Sequence, residues 1–241
     1  MFESIVDPIF APLLNLGPLL AMLIISFVVS LVIVIVYKFM TKQGEMKDLK
    51  AEIKNLQNEM KTLKDNPTKM MEVQKKVMSK NLEYMKHSFK PTLITFLPLI
   101  LIFGWLNVTM AYEPIIPNEE FIVSVYSGEN VTINAPEKIT LLDTKNENGK
   151  IDFKLKGQEG EYLLEFNIDD EIQTKDVMIT DKQKYAVPVK ELKNSKITKI
   201  EIKYNKLKVL NLFGWELGWL GTYIIFSLVF SIVLRKLMKV H

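Results

Sequence analysis

The chain has 241 residues, of which 48% are hydrophobic, a formal net charge of +3 at pH 7 and no cysteine. The absence of cysteine excludes disulfides, thiolate chemistry and Cys-ligated metal sites. The small net charge conceals a strong segregation of apolar and charged stretches along the chain.

Three stretches, residues 13–37, 91–110 and 217–234, contain no charged residue. About 20 apolar residues suffice to cross a bilayer core roughly 30 Å thick. A helix that is apolar all round needs lipid or a very large protein core. A chain of 241 residues cannot supply a dry core for three such helices, so they are expected to span a membrane. The first run is too long for a signal peptide, and Glu3 and Asp7 stand where a basic leader would begin. It is therefore expected to stay as an uncleaved span.

Charge placement sets the expected orientation, because Lys and Arg flanking membrane segments stay in the cytoplasm. Residues 38–90 hold 13 Lys and 7 acids. Residues 111–212 hold 15 Lys and 18 acids. Arg235, Lys236 and Lys239 follow the last span, and only Glu3 and Asp7 precede the first. The N-terminus and residues 111–212 are thus expected outside, and residues 38–90 and the C-terminus inside, in a multi-pass protein of the plasma membrane. Trp105, Tyr112, Trp215 and Trp219 fall toward the outer interface, where amphipathic rings anchor helices. The expected segments are an outer N-terminal stretch (1–12), spans at 13–37, 91–110 and 213–235, a cytoplasmic hairpin (38–90), an outer domain (111–212) and a basic tail (236–241).

In the hairpin, Met46, Leu49, Ile53, Leu56, Met60 and Leu63 recur at alternating spacings of three and four. That is the seam of a coiled coil. It stops at Asp65-Asn66-Pro67, where Asn reads as an N-cap and Pro as the first residue of a new helix. The second arm repeats Met71, Met78, Leu82, Met85 and Phe89. Arms of equal length, roughly 35 Å at 1.5 Å per residue, return the chain to the membrane, so an antiparallel coiled-coil hairpin is expected. Met70, Met71, Met78 and Met85 crowd this arm. They either fill the seam or form an adaptable contact surface for varied apolar partners. The lysines suit ribosomal RNA or anionic headgroups, although a solvated helix face is the simpler reading.

From Phe121 to Val209 the apolar period changes to two, as in Ile151-Asp152-Phe153-Lys154-Leu155. Turn signals such as Asn148-Gly149 and Asp169-Asp170 fall between the runs. Eight or nine short strands in an all-β, sandwich-like domain are expected. Asp169, Asp170 and Glu171 suit a polar turn better than a cation site. Asn130-Val131-Thr132 matches the glycosylation pattern. His87 and His241 are the only histidines, and neither a nucleophile–base set nor a phosphate loop occurs. No enzymatic activity, cofactor or metal is expected.

The spans hold polar residues in register. Ser26 and Ser30, Thr92 and Thr95, and Ser227 and Ser231 each share a helix face, and Arg235 extends the last stripe. All lie in the cytoplasmic half of the expected topology. Converging, they would line a polar groove open to the cytoplasm. The plain alternative is that each hydroxyl bonds back to its own helix. Pro98, in mid-span, is expected to kink the second helix and help open the groove.

The order of apolar helix, Met-rich hairpin, the Pro91-Thr92-Leu93-Ile94-Thr95-Phe96-Leu97-Pro98 helix, outer domain and Trp215–Tyr223 leading into Ser227, Ser231 and Arg235-Lys236 resembles the YidC-type membrane protein insertase superfamily, in its compact three-helix archaeal branch. The resemblance implies an insertase that takes nascent membrane segments from the ribosome through a hydrophilic groove and releases them into the bilayer without ATP. It implies nascent membrane proteins, the ribosome at the hairpin and the lipid bilayer as partners, with a translocation channel as a candidate and no DNA. Two features depart from bacterial members. The first span carries no charge where those members often hold an Arg, and the large outer domain lies between the second and third spans. A membrane-anchored adaptor, using the hairpin and the outer domain to bind partners, is the alternative reading. An ion channel would want charged residues within the spans, and none occurs there.

Overall fold

A computed structural model describes residues 3–63 and 66–240. Asp65 of the expected turn, His241 at the end of the basic tail, and Met1 and Phe2 lie outside the described residues. The helices are α1 (Glu3–Leu14), α2 (Pro18–Met40), α3 (Gln43–Thr62), α4 (Pro67–Thr109) and α5 (Trp219–Leu237). The strands are β1 (Glu120–Ser127), β2 (Thr132–Asn134), β3 (Ile139–Glu147), β4 (Lys150–Gly157), β5 (Gly160–Ile168), β6 (Glu171–Ile179), β7 (Val189–Glu191), β8 (Ile197–Ile202), β9 (Leu210–Leu212) and β10 (Trp215–Leu217). Three of the helices, α2, α4 and α5, are long and apolar enough to cross a membrane.

Local chemistry explains the helix boundaries. Gly17 adopts φ +87°, a left-handed conformation that ends a helix at little cost in glycine. Pro18 then begins α2, where its missing N–H loses nothing. Leu13 and Leu14, at the head of the first apolar run, therefore finish α1, and the spanning helix starts at Pro18. At the far end the Thr41 hydroxyl donates to the Tyr37 carbonyl at 2.6 Å. Asn66 caps α4 by accepting the Lys69 N–H at 3.2 Å, with Pro67 in the first turn. From there α4 runs unbroken for 43 residues through Pro91 and Pro98. The second hairpin arm and the second span are thus one continuous helix.

The chain divides into two compact units. One holds α1, the first turn of α2, the end of α4 from Trp105, and the β elements. Its strands form a five-stranded sheet ordered β3-β4-β1-β8-β7, a three-stranded sheet ordered β2-β5-β6 and a β9–β10 hairpin, every pairing antiparallel. Strand alternation puts Val123, Val125, Ile151, Phe153, Leu155, Ile200 and Ile202 on the inner face of the larger sheet. They share one core with Leu164, Phe166, Ile168, Val177 and Ile179 of the smaller sheet. The rings of Phe153 and Phe166 meet across it at 5.7 Å. Asn148-Gly149, both with positive φ, turn β3 into β4 as the turn signals predict. Lys196 pairs with Asp169 and with Glu129 at 3.2 Å, and its N–H reaches Glu171. Lys196 thereby offsets part of the charge of the acidic turn from within the domain.

In the same unit Trp105 departs from the expected interfacial role. It is buried, its indole N–H donates to the Asp7 carboxylate at 2.5 Å, and its ring lies 5.8 Å from that of Phe10. An indole N–H inside protein needs an acceptor, and α1 supplies one. Gln183 donates to the carbonyls of Thr109 and Tyr112, fastening its loop to the end of α4.

The second unit holds α2 from Met22, α3, α4 through Gly104 and α5 from Gly221. Phe27 meets Phe230 at 5.3 Å and Tyr37 meets Arg235 at 4.9 Å, so α2 and α5 run parallel. Tyr37 also meets Ser88, and Phe103 meets Tyr223, so α4 runs antiparallel to both.

Candidate functional site

The packed face of α2 carries Met22, Ile25, Ser26, Val29, Ser30, Val34 and Tyr37, all buried. Their three-and-four spacing makes one stripe. Within it the hydroxyls of Ser26 and Ser30 are fully enclosed and have no hydrogen-bond partner among the described residues. An unpaired buried hydroxyl costs about 1–3 kcal/mol, so the pair marks a polar spot on an otherwise apolar face.

The other expected groove residues are placed differently. Thr92 donates to the Ser88 carbonyl at 2.7 Å, and Thr95 to those of Pro91 and Thr92 at 3.1 and 3.0 Å. Ser227 donates to the Ile224 carbonyl at 3.1 Å. These three hydroxyls are turned onto their own helices. Ser231 is half-buried. Arg235 is exposed and lies over the Tyr37 ring, a cation–π contact.

Sequence reading missed the residues that tie these helices together. Ser88 donates to the Tyr84 carbonyl at 3.1 Å, which leaves its oxygen to accept from the Tyr37 hydroxyl at 2.9 Å. Tyr84 packs against the cluster of Val34, Tyr37, Met46, Leu234 and Val240. Tyr37 is thus bonded to α4 and stacked under Arg235 of α5. The signal available in sequence was a tyrosine at the end of an uncharged run, in register with Ser26 and Ser30.

The α3–α4 pair revises the expected seam. On α3, Met46 and Leu49 are buried and Ile53, Leu56, Met60 and Leu63 half-buried, as the heptads predict. On α4 the protected positions are Met70, Val73, Val77, Lys80, Tyr84 and His87, spaced three and four. Lys80 pairs with Glu52 at 3.0 Å, and His87 approaches Glu45 at 4.0 Å, which sets the helices antiparallel. At this end of α3 the hydrogen bond from Lys42 holds the Glu45 carboxyl below its ordinary range. Two of the six protected residues are polar, so an apolar-period search picked the neighbouring row instead. That row faces out. Met71, Met78, Leu82, Met85 and Phe89 are all exposed, between 54% for Leu82 and 63% for Met78. Leu93, Phe96 and Ile100 extend the same stripe along α4, also exposed. Of the four methionines expected to fill the seam or form a contact surface, Met71, Met78 and Met85 therefore lie on an open apolar face, and Met70 is half-buried beside it.

Residues 3–125, just over half of the chain, match the family described as integral membrane protein EMC3/TMCO1-like. The chain belongs to the EMC3/TMCO1-like family. The matched range includes α1 to α4 and most of β1. The family is a member of the YidC/Oxa1/Alb3/EMC insertase-related superfamily, so the resemblance read from the helix–hairpin–helix order holds at that level. EMC3/TMCO1-like proteins are related to membrane protein insertion, and with three candidate spans the chain is a multi-pass membrane protein. No curated protein and no solved structure matches the chain.

Proposed function

We propose that the chain is a membrane protein insertase of the compact three-helix kind, which takes up apolar nascent segments on the α3–α4 hairpin and passes them into the bilayer beside α2, α4 and α5. The observation that carries this reading is the exposed stripe from Met71 to Ile100 on a single unbroken helix. It offers an apolar segment a continuous path from water into the depth of a span. Met side chains accept varied partners because they are unbranched and polarizable.

The hairpin, read as a coiled coil, stands in the cytoplasm, with the N-terminus and the β domain on the other side. The ribosome delivers its nascent chain there. Polar flanks of the substrate are the difficult part of insertion, since a charged residue at mid-bilayer costs at least ~2.5–3.5 kcal/mol. Ser26, Ser30, Ser231 and Arg235 are the groups we assign to a polar path that lowers this barrier, while Thr92, Thr95 and Ser227 would have to give up the bonds to their own helices to join it; Pro98 loosens α4 beside it. The unpaired hydroxyls of Ser26 and Ser30 support such a path. Burial of the substrate's apolar helix in lipid drives the step, so no nucleotide is consumed.

Photo-crosslinking tests this. A crosslinking residue at Met78, Thr95 or Ser231, with Leu228 as lipid-facing control, is challenged with ribosomes stalled while making a single-span protein. Crosslinks at the three positions and not at Leu228 are expected. Nascent-chain crosslinks at none of them, with the protein folded and ribosomes present, would falsify the proposal.

A further inference from the structure

The β9–β10 hairpin joins the β domain to α5, and its tip is unusual. Leu212 pairs with Trp215, which leaves a two-residue turn of Phe213 and Gly214. Both have positive φ, +53° and +93°. That combination defines a mirror-image hairpin turn, whose first position favours Asn, Asp or Gly. A bulky side chain there brings Cβ against the backbone and costs free energy. Phe213 nevertheless occupies it and is fully exposed, at 104%; Trp215 beside it is 78% exposed. Local backbone preference and water both disfavour this choice. Strain of this kind persists where another interaction compensates for it.

The surroundings identify that interaction. Trp219, the first residue of α5, lies four positions after Trp215, so the tip is tethered to the point where a span enters the bilayer. The tip carries no charge, and the one acid on β10, Glu216, is paired with Lys208. Asn211 accepts the Gly214 N–H at 2.9 Å, and Leu212 pairs with Trp215 to close the turn. The outer edges of a two-stranded hairpin stay open, so it suits the hydrated headgroup boundary rather than the hydrocarbon centre. Trp and Phe with an apolar body suit the headgroup boundary.

We infer that the Phe213-Gly214-Trp215 tip inserts into the leaflet from which α5 enters the membrane, holding the β domain against the bilayer surface. The occupant of this surface is lipid of the same membrane. The inference needs α5 to span, and it is independent of the proposed insertase activity.

The cysteine-free chain allows a direct test in the full-length protein in phosphatidylcholine nanodiscs. A single nitroxide is placed by Phe213→Cys, with Lys145→Cys on β3 as the reference. A severalfold higher ratio of oxygen to nickel-chelate collisions at 213 than at 145 is expected. Equal ratios overturn the inference. A second label, at Asn211→Cys, is read with and without Phe213→Asn and Trp215→Thr. Asn-Gly suits the turn better than Phe-Gly, so this variant keeps the hairpin while removing its apolar tip. Loss of the oxygen excess at 211 supports insertion through these two side chains, and an unchanged ratio overturns it.

Discussion

A chain carrying Met71→Glu, Met78→Glu and Met85→Glu is expected to keep its α3–α4 hairpin and lose most of its crosslinks to nascent segments. All three methionines point away from α3 and are more than half exposed, so folding does not depend on them. Full burial of one such side chain is worth roughly 1.5–3 kcal/mol. A third of that from each of three, about 2 kcal/mol in all, already changes occupancy about 30-fold. Val73→Glu gives the opposite pattern. Val73 is 5% exposed, and burying a carboxylate in its place costs more than the apolar contact it replaces, so the hairpin itself opens. Circular dichroism and limited proteolysis separate the two cases. A triple variant that crosslinks as well as the parent would show that the stripe is not the uptake surface.

Phe166→Ala is expected to destabilise the β domain by about 3–5 kcal/mol, the usual effect of emptying a buried aromatic site. Phe166 is fully enclosed and meets Phe153 of the opposite sheet. Its loss therefore empties the middle of the interface between the sheets. Urea unfolding of the full chain in detergent, followed by the β signal in circular dichroism, measures this. A change under about 1 kcal/mol would mean that the two sheets do not share one core.

The three spans and the change from helical to strand period were legible because apolar run length and alternation report directly on lipid and on a half-buried sheet. The α3 seam was legible for the same reason. The α4 seam was not. Lys80 and His87 occupy protected positions through Glu52 and Glu45 of α3, while the more apolar row beside them is exposed. A search for apolar period cannot tell a row that faces a partner helix from one held open. The role of Trp105 was hidden because its acceptor, Asp7, is 98 positions away in sequence. The continuity of α4 was equally hidden, since the charged arm ending at Lys90 and the uncharged span beginning at Pro91 read as separate segments. Of the expected polar stripes, Ser26 and Ser30 are the enclosed pair. Thr92, Thr95 and Ser227 have carbonyl partners on their own helices, the plain alternative that residue type alone could not decide. Tyr37 joins the site only through Ser88 and Arg235, contacts that no local pattern announces.

Insertion itself is the most direct measurement. The purified chain is reconstituted into phospholipid vesicles, and ribosomes synthesise a single-span protein with a short polar flank in their presence. Protease protection of the flank then reports its passage across the bilayer. Protection is expected to rise with the amount of protein in the vesicles, without nucleotide beyond that used in translation, and to fall to the protein-free level with the triple Met→Glu variant. Equal protection in vesicles with and without the folded chain would contradict an insertase.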